Sequence, residues 1–213
     1  MSMTALFYHG WGFDHSIWNK VVGQLEGWRA LFVDRGYFGQ ARRPVPDGPN
    51  LVVAHSFGTM LALHDPPQGC VGIVAINGFD RFVADSASPG VHPRILRRMA
   101  DRFEGDPLSV LREFRGRCGC ETSPPHPDKD ALGEDLHLLA TMDCRDDTAA
   151  TPLPILSLQG DADPILPEAM RDTIFGRAHR IERRTVAGGG HLLPLTDPAA
   201  CCKAIREIGE VPA

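Results

Sequence analysis

The sequence predicts an α/β fold, in which a mostly parallel sheet of about six strands is flanked by helices and carries a helical lid insertion. Short apolar runs alternate with helical patterns along the chain, as in proteins whose parallel strands are joined by crossover helices. Most of these runs are continuously apolar, which is typical of strands covered on both faces. One long segment breaks the alternation, and such segments in a compact domain are usually functional.

The individual elements follow the same alternation from the N-terminus. The last helix has the clearest start, because Asp197 can cap it and Pro198 suits its first position. Strands are predicted at 3–8, 29–34, 50–54, 71–76, 153–158 and 180–186. Helices between them are predicted at 16–25, 57–65, 167–175 and 197–208.

Two connections depart from this pattern. Residues 35–49 contain three glycines and three prolines, too many helix breakers for a helical crossover, so we predict an extended loop. The second connection, 79–151, is predicted to form the lid, which leaves 1–78 and 152–213 as the core. It contains helical patterns around 92–103, 106–117 and 128–141, and a proline-rich break at 123–127.

Composition and charge disfavour several classes of protein. Hydrophobic residues make up 43% and charged residues 23% of the chain, the profile of a soluble globular protein. No apolar run approaches the ~20 residues that span a bilayer, and the N-terminus lacks the stretches of a signal peptide, so we expect a cytoplasmic protein without a membrane partner. The net charge of −5 disfavours nucleic acid. The six cysteines lack zinc or thioredoxin spacing, and we expect no metal site.

A serine nucleophile is predicted at the turn between the third strand and the next helix. Residues 53–58 form the strand, tight turn and helix start in which a small-x-Ser-x-Gly motif is meaningful. Ala54 and Gly58 are the small neighbours that this strained turn needs. Ser56 would stand at a helix N-terminus, which favours developing negative charge. His55 is expected to point away across the turn. A buried serine that only caps the helix is the alternative.

A serine hydroxyl needs a base to take its proton. His191 is the best candidate, because it follows the last strand on the glycine-rich segment 187–190; a loop histidine without a partner is the alternative. Asp163 follows the fifth strand and is predicted to orient the histidine, with Asp161 as the second choice. The chain order of serine, aspartate and histidine matches the one expected for this kind of fold.

Acyl transfer also needs hydrogen-bond donors for the oxyanion. The first strand ends in His9-Gly10-Trp11, a turn at the same edge of the sheet as Ser56. The backbone N–H groups of Trp11 and Phe57 are therefore the predicted oxyanion hole. A simple β-turn would explain Gly10 but not its combination with the other motifs.

With these motifs the chain resembles the α/β-hydrolase superfamily throughout. More narrowly, it resembles the compact form of the pimeloyl-[acyl-carrier protein] methyl ester esterases of biotin synthesis. The resemblance implies a serine carboxylesterase that needs no metal or cofactor and acts on a carrier-bound acyl ester. Compared with most of the superfamily, we expect the chain to lack two strands before its first one. The motifs that carry the narrower resemblance are 9–13 with Trp18, 34–39, 54–58, 143–146, 160–167 and the histidine loop 187–192.

The same resemblance implies an acidic acyl carrier protein that docks on a basic lid. Between residues 81 and 117 the sequence has eight arginines and five acidic residues. Four of the arginines have helical spacing, so that several can share one face. A solvated helix with pairs to Asp101 and Glu104 is the alternative. The candidates for carrier binding are Arg94, Arg97, Arg98, Arg102, Arg112 and Arg115.

Two other functions remain open. A general short-chain carboxylesterase or thioesterase acting on small molecules would use the same catalytic residues. A non-catalytic binding protein would keep the pocket without reacting at Ser56. Dehalogenase and epoxide-hydrolase chemistry is disfavoured, because those enzymes use an aspartate where this chain has a serine.

Overall fold

The computed structural model describes residues 3–122 and 126–209. Part of the proline-rich break predicted at 123–127 therefore lies outside the described residues. Within the described ranges, six strands form one sheet in the order β2-β1-β3-β4-β5-β6, and all neighbouring strands are parallel. This confirms the predicted sheet. The strands are β1 (Thr4–Tyr8), β2 (Arg29–Val33), β3 (Asn50–His55), β4 (Cys70–Ile76), β5 (Ile155–Gly160) and β6 (Ile181–Val186).

Helices connect most of the strands in the described part of the chain. Those outside the long connection between β4 and β5 are α1 (Asn19–Val22), α2 (Phe57–His64), α7 (Glu168–Arg171), α8 (Leu193–Thr196) and α9 (Pro198–Gly209). Those within that connection are α3 (Pro93–Gly105), α4 (Pro107–Arg117), α5 (Lys129–Thr141) and α6 (Arg145–Ala150).

Several predicted boundaries differ from the structure for local reasons. The helix predicted at 16–25 is a 3₁₀ turn, His15–Trp18, followed by α1, and the helix predicted at 167–175 contains only the four residues of α7. The strand predicted from residue 153 begins at Ile155, because Pro154 has no N–H to donate to a sheet. Helices α6 and α8 were not predicted, since six and four residues are too few to show a helical period.

The sheet is covered by two groups of helices. Helices α1, α8 and α9 contact one another, and α9 packs against β3, β4 and β5, while α2 packs against β1, β3 and α6. Strand β3 is buried along its whole length, as its continuous apolar run predicts. As predicted, residues 35–49 form no helix; Asp34 and Arg42 make an isolated antiparallel bridge. No helix in the described ranges is long and apolar enough to cross a membrane.

The predicted insertion 79–151 contributes helices to two places. Helices α4 and α5 both pack against α3, and this three-helix group lies over the carboxyl edge of the sheet. Helix α6 instead packs against α2, and Cys144 before it donates its N–H to the Asp80 carbonyl. The last part of the insertion therefore packs with the core.

Candidate active site

The carboxyl ends of the strands bring remote parts of the chain to one edge of the sheet. Gly10 follows β1, Ser56 follows β3 and Asn77 follows β4. Asp163 and His191 lie in the segments after β5 and β6. Because all of these strands are parallel, the five residues meet at the same edge, where open α/β sheets bind their ligands.

Ser56 stands on a strained turn between β3 and α2. Its φ of 53° and ψ of −126° lie outside the regions that L-residues ordinarily occupy. The turn is fixed by a hydrogen bond from the Ser56 N–H to the Ile76 carbonyl, 3.1 Å. A Cβ at Gly58 would lie 2.5 Å from the His9 carbonyl oxygen, so only glycine fits there. The small residue in the predicted motif therefore permits close contact between α2 and the turn after β1.

The imidazole of His191 joins the serine to a carboxylate. Its Nε2 lies 3.1 Å from Ser56 Oγ, and its Nδ1 lies 2.7 Å from Asp163 Oδ2. Ser56, Asp163 and His191 are 5%, 6% and 1% exposed, so little water competes for these hydrogen bonds. The structure thus brings together the three residues predicted to act on an acyl group.

The Asp163 carboxylate is held on both oxygens. Oδ1 accepts the N–H groups of Ile165 at 2.7 Å and Leu166 at 3.2 Å, and Oδ2 accepts from His191 and from Asn77 Nδ2. Burial by itself would raise the pKa of this carboxyl group, but His191, Asn77 and the N–H donors together bring it below its ordinary value. Asp163 is therefore an anion at neutral pH.

The second choice for the acid, Asp161, has a different partner. Its exposed carboxylate accepts the N–H of Gly188 at 2.6 Å, and so fixes the glycine-rich segment from outside. The Cβ that any other residue would place at Gly160 collides with the Gly189 backbone. The glycines of this segment therefore allow the loop carrying His191 to pack directly on the end of β5.

The predicted oxyanion donors lie on the two turns that meet at Ser56. Phe57 is the first residue of α2, so its N–H has no acceptor within the helix. The turn containing Trp11 is held against Ser56, since a Cβ at Gly10 would lie 3.0 Å from Ser56 Cβ. Both N–H groups therefore belong to backbone next to Ser56.

His55 is closer to the site than expected from the sequence. Its ring centroid lies 4.9 Å from that of His191, and its Nε2 lies 2.9 Å from the His191 carbonyl oxygen. The side chain that is expected to point away across the turn therefore lies against the histidine loop, a contact that the sequence does not predict. Burial, followed by the nearby His191, lowers its pKa to about 3. His55 is consequently neutral, and the ring nitrogen facing the carbonyl carries the proton.

Ser56 opens into an apolar cavity of about 450 Å³ beneath the three-helix group. Polar groups around it include Arg117 of α4, which donates to the Pro164 carbonyl at 3.3 Å. The apolar lining includes Trp11, Phe79, Phe82, Leu96, Phe114 and Leu139. Such a lining suits an aliphatic or aromatic group next to Ser56.

Helix α5 is anchored to the core by a buried carboxylate. Asp135 is completely buried and accepts hydrogen bonds from Arg35 Nε at 2.7 Å and Nη2 at 2.6 Å. The Tyr37 hydroxyl donates to the same carboxylate at 2.5 Å. Burial and the adjacent Asp135 raise the pKa of Tyr37 well above its ordinary value, so the phenol remains a donor. Trp11 Nε1 adds a bond to the Leu132 carbonyl at 2.8 Å.

The predicted carrier-binding arginines divide into two groups. Arg115 is only 9% exposed, and its guanidinium lies 4.8 Å from the Phe13 ring centroid and donates to the Gly12 carbonyl at 2.6 Å. The prediction that Arg115 belongs to a carrier-binding surface is therefore wrong, because this side chain supports the turn after β1. Arg102 pairs with Glu113 at 2.7 Å. Within the described ranges, the remaining four make no ion pair, and all are exposed: Arg94, Arg97, Arg98 and Arg112.

No sequence pattern marks Asn77, which contacts both Asp163 and the histidine loop. Nothing local marks an asparagine at a strand end as functional, because its contacts to Asp163 and Gly190 come from other strands. The contacts of His55 with the His191 carbonyl and of Arg115 with the Gly12 carbonyl also join distant parts of the chain, so no local pattern predicts them. Only the strand ends themselves, which share one edge in a parallel sheet, could have directed attention to Asn77.

Comparison with known proteins agrees with this fold and arrangement. The model of the alpha/beta hydrolase family matches residues 5–204, and the chain belongs to this family. It is therefore a hydrolase, as the sequence motifs predict. The solved esterase EaEST from Exiguobacterium antarcticum superimposes with a TM-score of 0.86 at 14% identity, over 98% of this chain and 92% of that one. A bromoperoxidase from Bacillus anthracis superimposes with a TM-score of 0.84 at 17% identity, over the same shares of the two chains.

The chain is also similar in sequence to curated proteins. A pimeloyl-[acyl-carrier protein] methyl ester esterase from Vibrio campbellii is 23% identical, over 93% of this chain and 91% of that protein. One with the same name from Legionella pneumophila strain Paris is 26% identical, over 78% of this chain and 77% of that protein. The narrower resemblance predicted from the motifs therefore extends along most of the chain.

Proposed function

We propose that this hydrolase is a serine carboxylesterase whose catalytic residues are Ser56, His191 and Asp163. The observation that carries the proposal is the His191 imidazole, whose two nitrogens face Ser56 Oγ and Asp163 Oδ2 at 3.1 and 2.7 Å. A carboxylate anion at Nδ1 requires that this nitrogen carry the proton. Nε2 is then free to accept the serine proton, as a general base must.

The reaction follows from this arrangement. Ser56 Oγ attacks the ester carbonyl as His191 Nε2 takes its proton, and the N–H groups of Trp11 and Phe57 donate to the oxyanion, each contributing ~3 kcal/mol. His191 then gives the proton to the departing alcohol, leaving an acyl group on Ser56. Water, deprotonated by the same nitrogen, attacks the acyl group and releases the acid.

The substrate that we propose is a pimeloyl-[acyl-carrier protein] methyl ester, which would be hydrolysed to the free acid and methanol. Three observations support it. Two relatives that align with most of the chain carry that activity in their names. The cavity at Ser56 is apolar, as an aliphatic chain requires. Helix α3 lines this cavity with Leu96 and Met99, and the same helix exposes unpaired arginines to the solvent.

Those arginines would meet an acidic carrier protein. Arg94, Arg97 and Arg98 are exposed on α3, next to the wall of the cavity, so a carrier bound there could pass its acyl arm inward. We also propose that helices α3–α5 act as the lid of this site. The buried Asp135 network fixes α5 to the core, and Arg115 ties α4 to the turn after β1, which makes α3 the most movable member of the lid.

A fluorophosphonate probe tests the enzyme class. Intact mass measurement should show one adduct on the wild-type chain, and Ser56→Ala should abolish it, while the lid-surface variant Ser109→Ala should react like the wild type. Absence of an adduct on the wild-type chain would contradict the catalytic proposal and favour a binding protein that retains the hydrolase pocket.

Competition between substrates tests the specific activity. We expect kcat/KM for the methyl ester of pimeloyl-carrier to exceed that for p-nitrophenyl butyrate, with methanol and the carrier-bound pimeloyl group with its carboxyl set free as products. Equal or better turnover of the p-nitrophenyl ester, with no hydrolysis of the carrier-bound ester, would instead indicate a general esterase or thioesterase for small molecules.

Charge reversal tests the carrier surface separately from the chemistry. The variant Arg94→Glu/Arg97→Glu/Arg98→Glu should raise KM for the carrier-bound ester about tenfold or more, a loss of ~1.4 kcal/mol in binding. Its kcat/KM for p-nitrophenyl butyrate should not change. Arg180→Glu is the control, because this exposed arginine precedes β6 at the opposite edge of the sheet. An unchanged KM in the triple variant would contradict docking at α3.

A further inference from the structure

Asn77 occupies the end of β4, in the middle of the carboxyl edge of the sheet. It is completely buried, and its φ of 45° lies in the left-handed region, where asparagine is enriched among non-glycine residues. Its N–H donates to the Leu158 carbonyl at 2.8 Å, so its backbone is held between β4 and β5. The Cα of Asn77 is therefore held in place beside the loops that carry Asp163 and His191.

The Asn77 amide joins the two loops that carry the acid and the base. Its Nδ2 lies 2.5 Å from Asp163 Oδ2 and 3.2 Å from the Gly190 carbonyl oxygen. Both neighbours are acceptors, which fixes the orientation of the amide, since the carbonyl end could not face them. The two N–H bonds of one amide thus hold the carboxylate and the residue immediately before His191.

The position of this contact on the carboxylate matters for the chemistry. Oδ2 is also the oxygen that accepts His191 Nδ1–H, whereas Oδ1 is held by N–H groups of its own loop. Without Asn77, the histidine would be the sole remaining donor to Oδ2 among the described residues, and no bond from the β4 end would reach either loop. The orientation of Oδ2 relative to the imidazole would then be less restrained.

We propose that Asn77 is a positioning residue, whose amide fixes the Asp163 carboxylate and the His191 loop at the spacing at which Nε2 faces Ser56 Oγ. The proposal rests on the catalytic roles proposed above for these three residues. It adds a fourth side chain, one that touches no reacting atom and acts only through the acid and the histidine loop.

Two variants separate this role from a general effect on folding. Asn77→Gly removes the amide while keeping a residue that tolerates positive φ. Asn77→Asp keeps the size and places a second carboxyl group against Asp163. Two carboxyl groups at this distance share one proton, and the protonated form can still donate to Asp163. Urea unfolding of both variants shows how much stability each loses.

The expected kinetic results differ between the two variants. Asn77→Gly should lower kcat for p-nitrophenyl butyrate by about 10- to 100-fold with KM unchanged, as for displaced supporting contacts in other active sites. Asn77→Asp should stay active at low pH and lose activity as the pH rises and the shared proton is lost, an alkaline decline that the wild type lacks. If both variants kept the wild-type kcat and pH profile, the proposal would be overturned.

A measurement that needs no substrate distinguishes failure of this proposal from failure of the esterase assignment. In proton NMR, the hydrogen-bonded Nδ1–H of His191, assigned by its loss in His191→Gln, should be visible in the wild type. It should broaden or shift upfield in Asn77→Gly and change with pH in Asn77→Asp. An unchanged resonance in both variants would overturn the positioning role even if the wild-type protein hydrolysed no ester.

Discussion

Replacement of Asp135 by leucine should destabilise the protein by about 3 kcal/mol. The variant removes a buried acceptor and leaves Arg35 and the Tyr37 hydroxyl without a partner. Breaking a buried ion pair from one side costs about 3–5 kcal/mol, mostly from the group left behind. The lower end of this range of free energy applies because the Arg35 side chain is 35% exposed, so that water can hydrate part of the guanidinium.

Urea denaturation followed by circular dichroism at pH 7 measures this change. For a chain of this size, about 3 kcal/mol corresponds to a decrease in Tm of about 6–12 °C. Glu134→Gln is the matched control, because Glu134 is an exposed neighbour on the same helix, and it should change the free energy of unfolding by less than about 0.5 kcal/mol.

A triple variant tests the cause of the loss. Arg35→Met/Tyr37→Phe/Asp135→Leu leaves no unpaired polar group and should recover most of the stability, as other buried pairs do when replaced by apolar side chains. A loss below about 1 kcal/mol in Asp135→Leu would refute the assigned energetics of the network. So would a triple variant as unstable as the single one, because the cost would then come from packing.

Three further predictions concern the catalytic edge. The His55 pKa of about 3 in the folded protein lies below its ordinary value. As the pH falls, the unfolded chain therefore binds a proton at this histidine before the folded protein does. Below pH ~6.5 this difference removes about 1.4 kcal/mol of stability per pH unit. In His55→Gln, the free energy of unfolding, measured in urea from pH 7 to 4.5, should therefore decline less steeply than in the wild type; parallel slopes would contradict this. Gly58→Ala should lower kcat about 100-fold or more, because the new Cβ would meet the His9 carbonyl and displace a backbone N–H that we propose as an oxyanion donor. Gly116→Ala, whose Cβ would meet nothing within 4 Å, is its control, and equal kcat values for the two variants would be evidence against the close contact. Arg115→Met should lower kcat about tenfold, since a charged hydrogen bond to the turn after β1 is worth about 1.5–3 kcal/mol; a rise in KM for the carrier-bound ester alone would instead indicate a surface role.

The parts of the fold that the sequence predicted are those written in local patterns. Strand β3 and the turn at Ser56 follow from a continuous apolar run and a small-x-Ser-x-Gly motif, which need no knowledge of the rest of the chain. The acid and the histidine could be placed because each follows a strand. Short helices such as α6 left no periodic signal, and its packing against α2 depends on tertiary contacts.

The residues that the sequence did not reveal act across long separations. Asn77 reaches Asp163 across 86 positions and Gly190 across 113, and Arg115 reaches Gly12 across 103. No local pattern records such contacts. Arg115 also shows what a charge pattern cannot predict. An arginine within a basic stretch is expected to be exposed, whereas this guanidinium is packed against the rings of Phe13 and Phe38.

The strand order has a consequence for how the chain folds. His191 and Ser56 are 135 positions apart, and the sheet that joins them has β1 between β2 and β3 and β5 next to the C-terminal strand. Long-range parallel pairing is slow, because loop-closure entropy must be overcome before distant contacts form. In refolding from urea, the helical circular dichroism signal should therefore return before hydrolytic activity. The return of activity would then report when the sheet is complete.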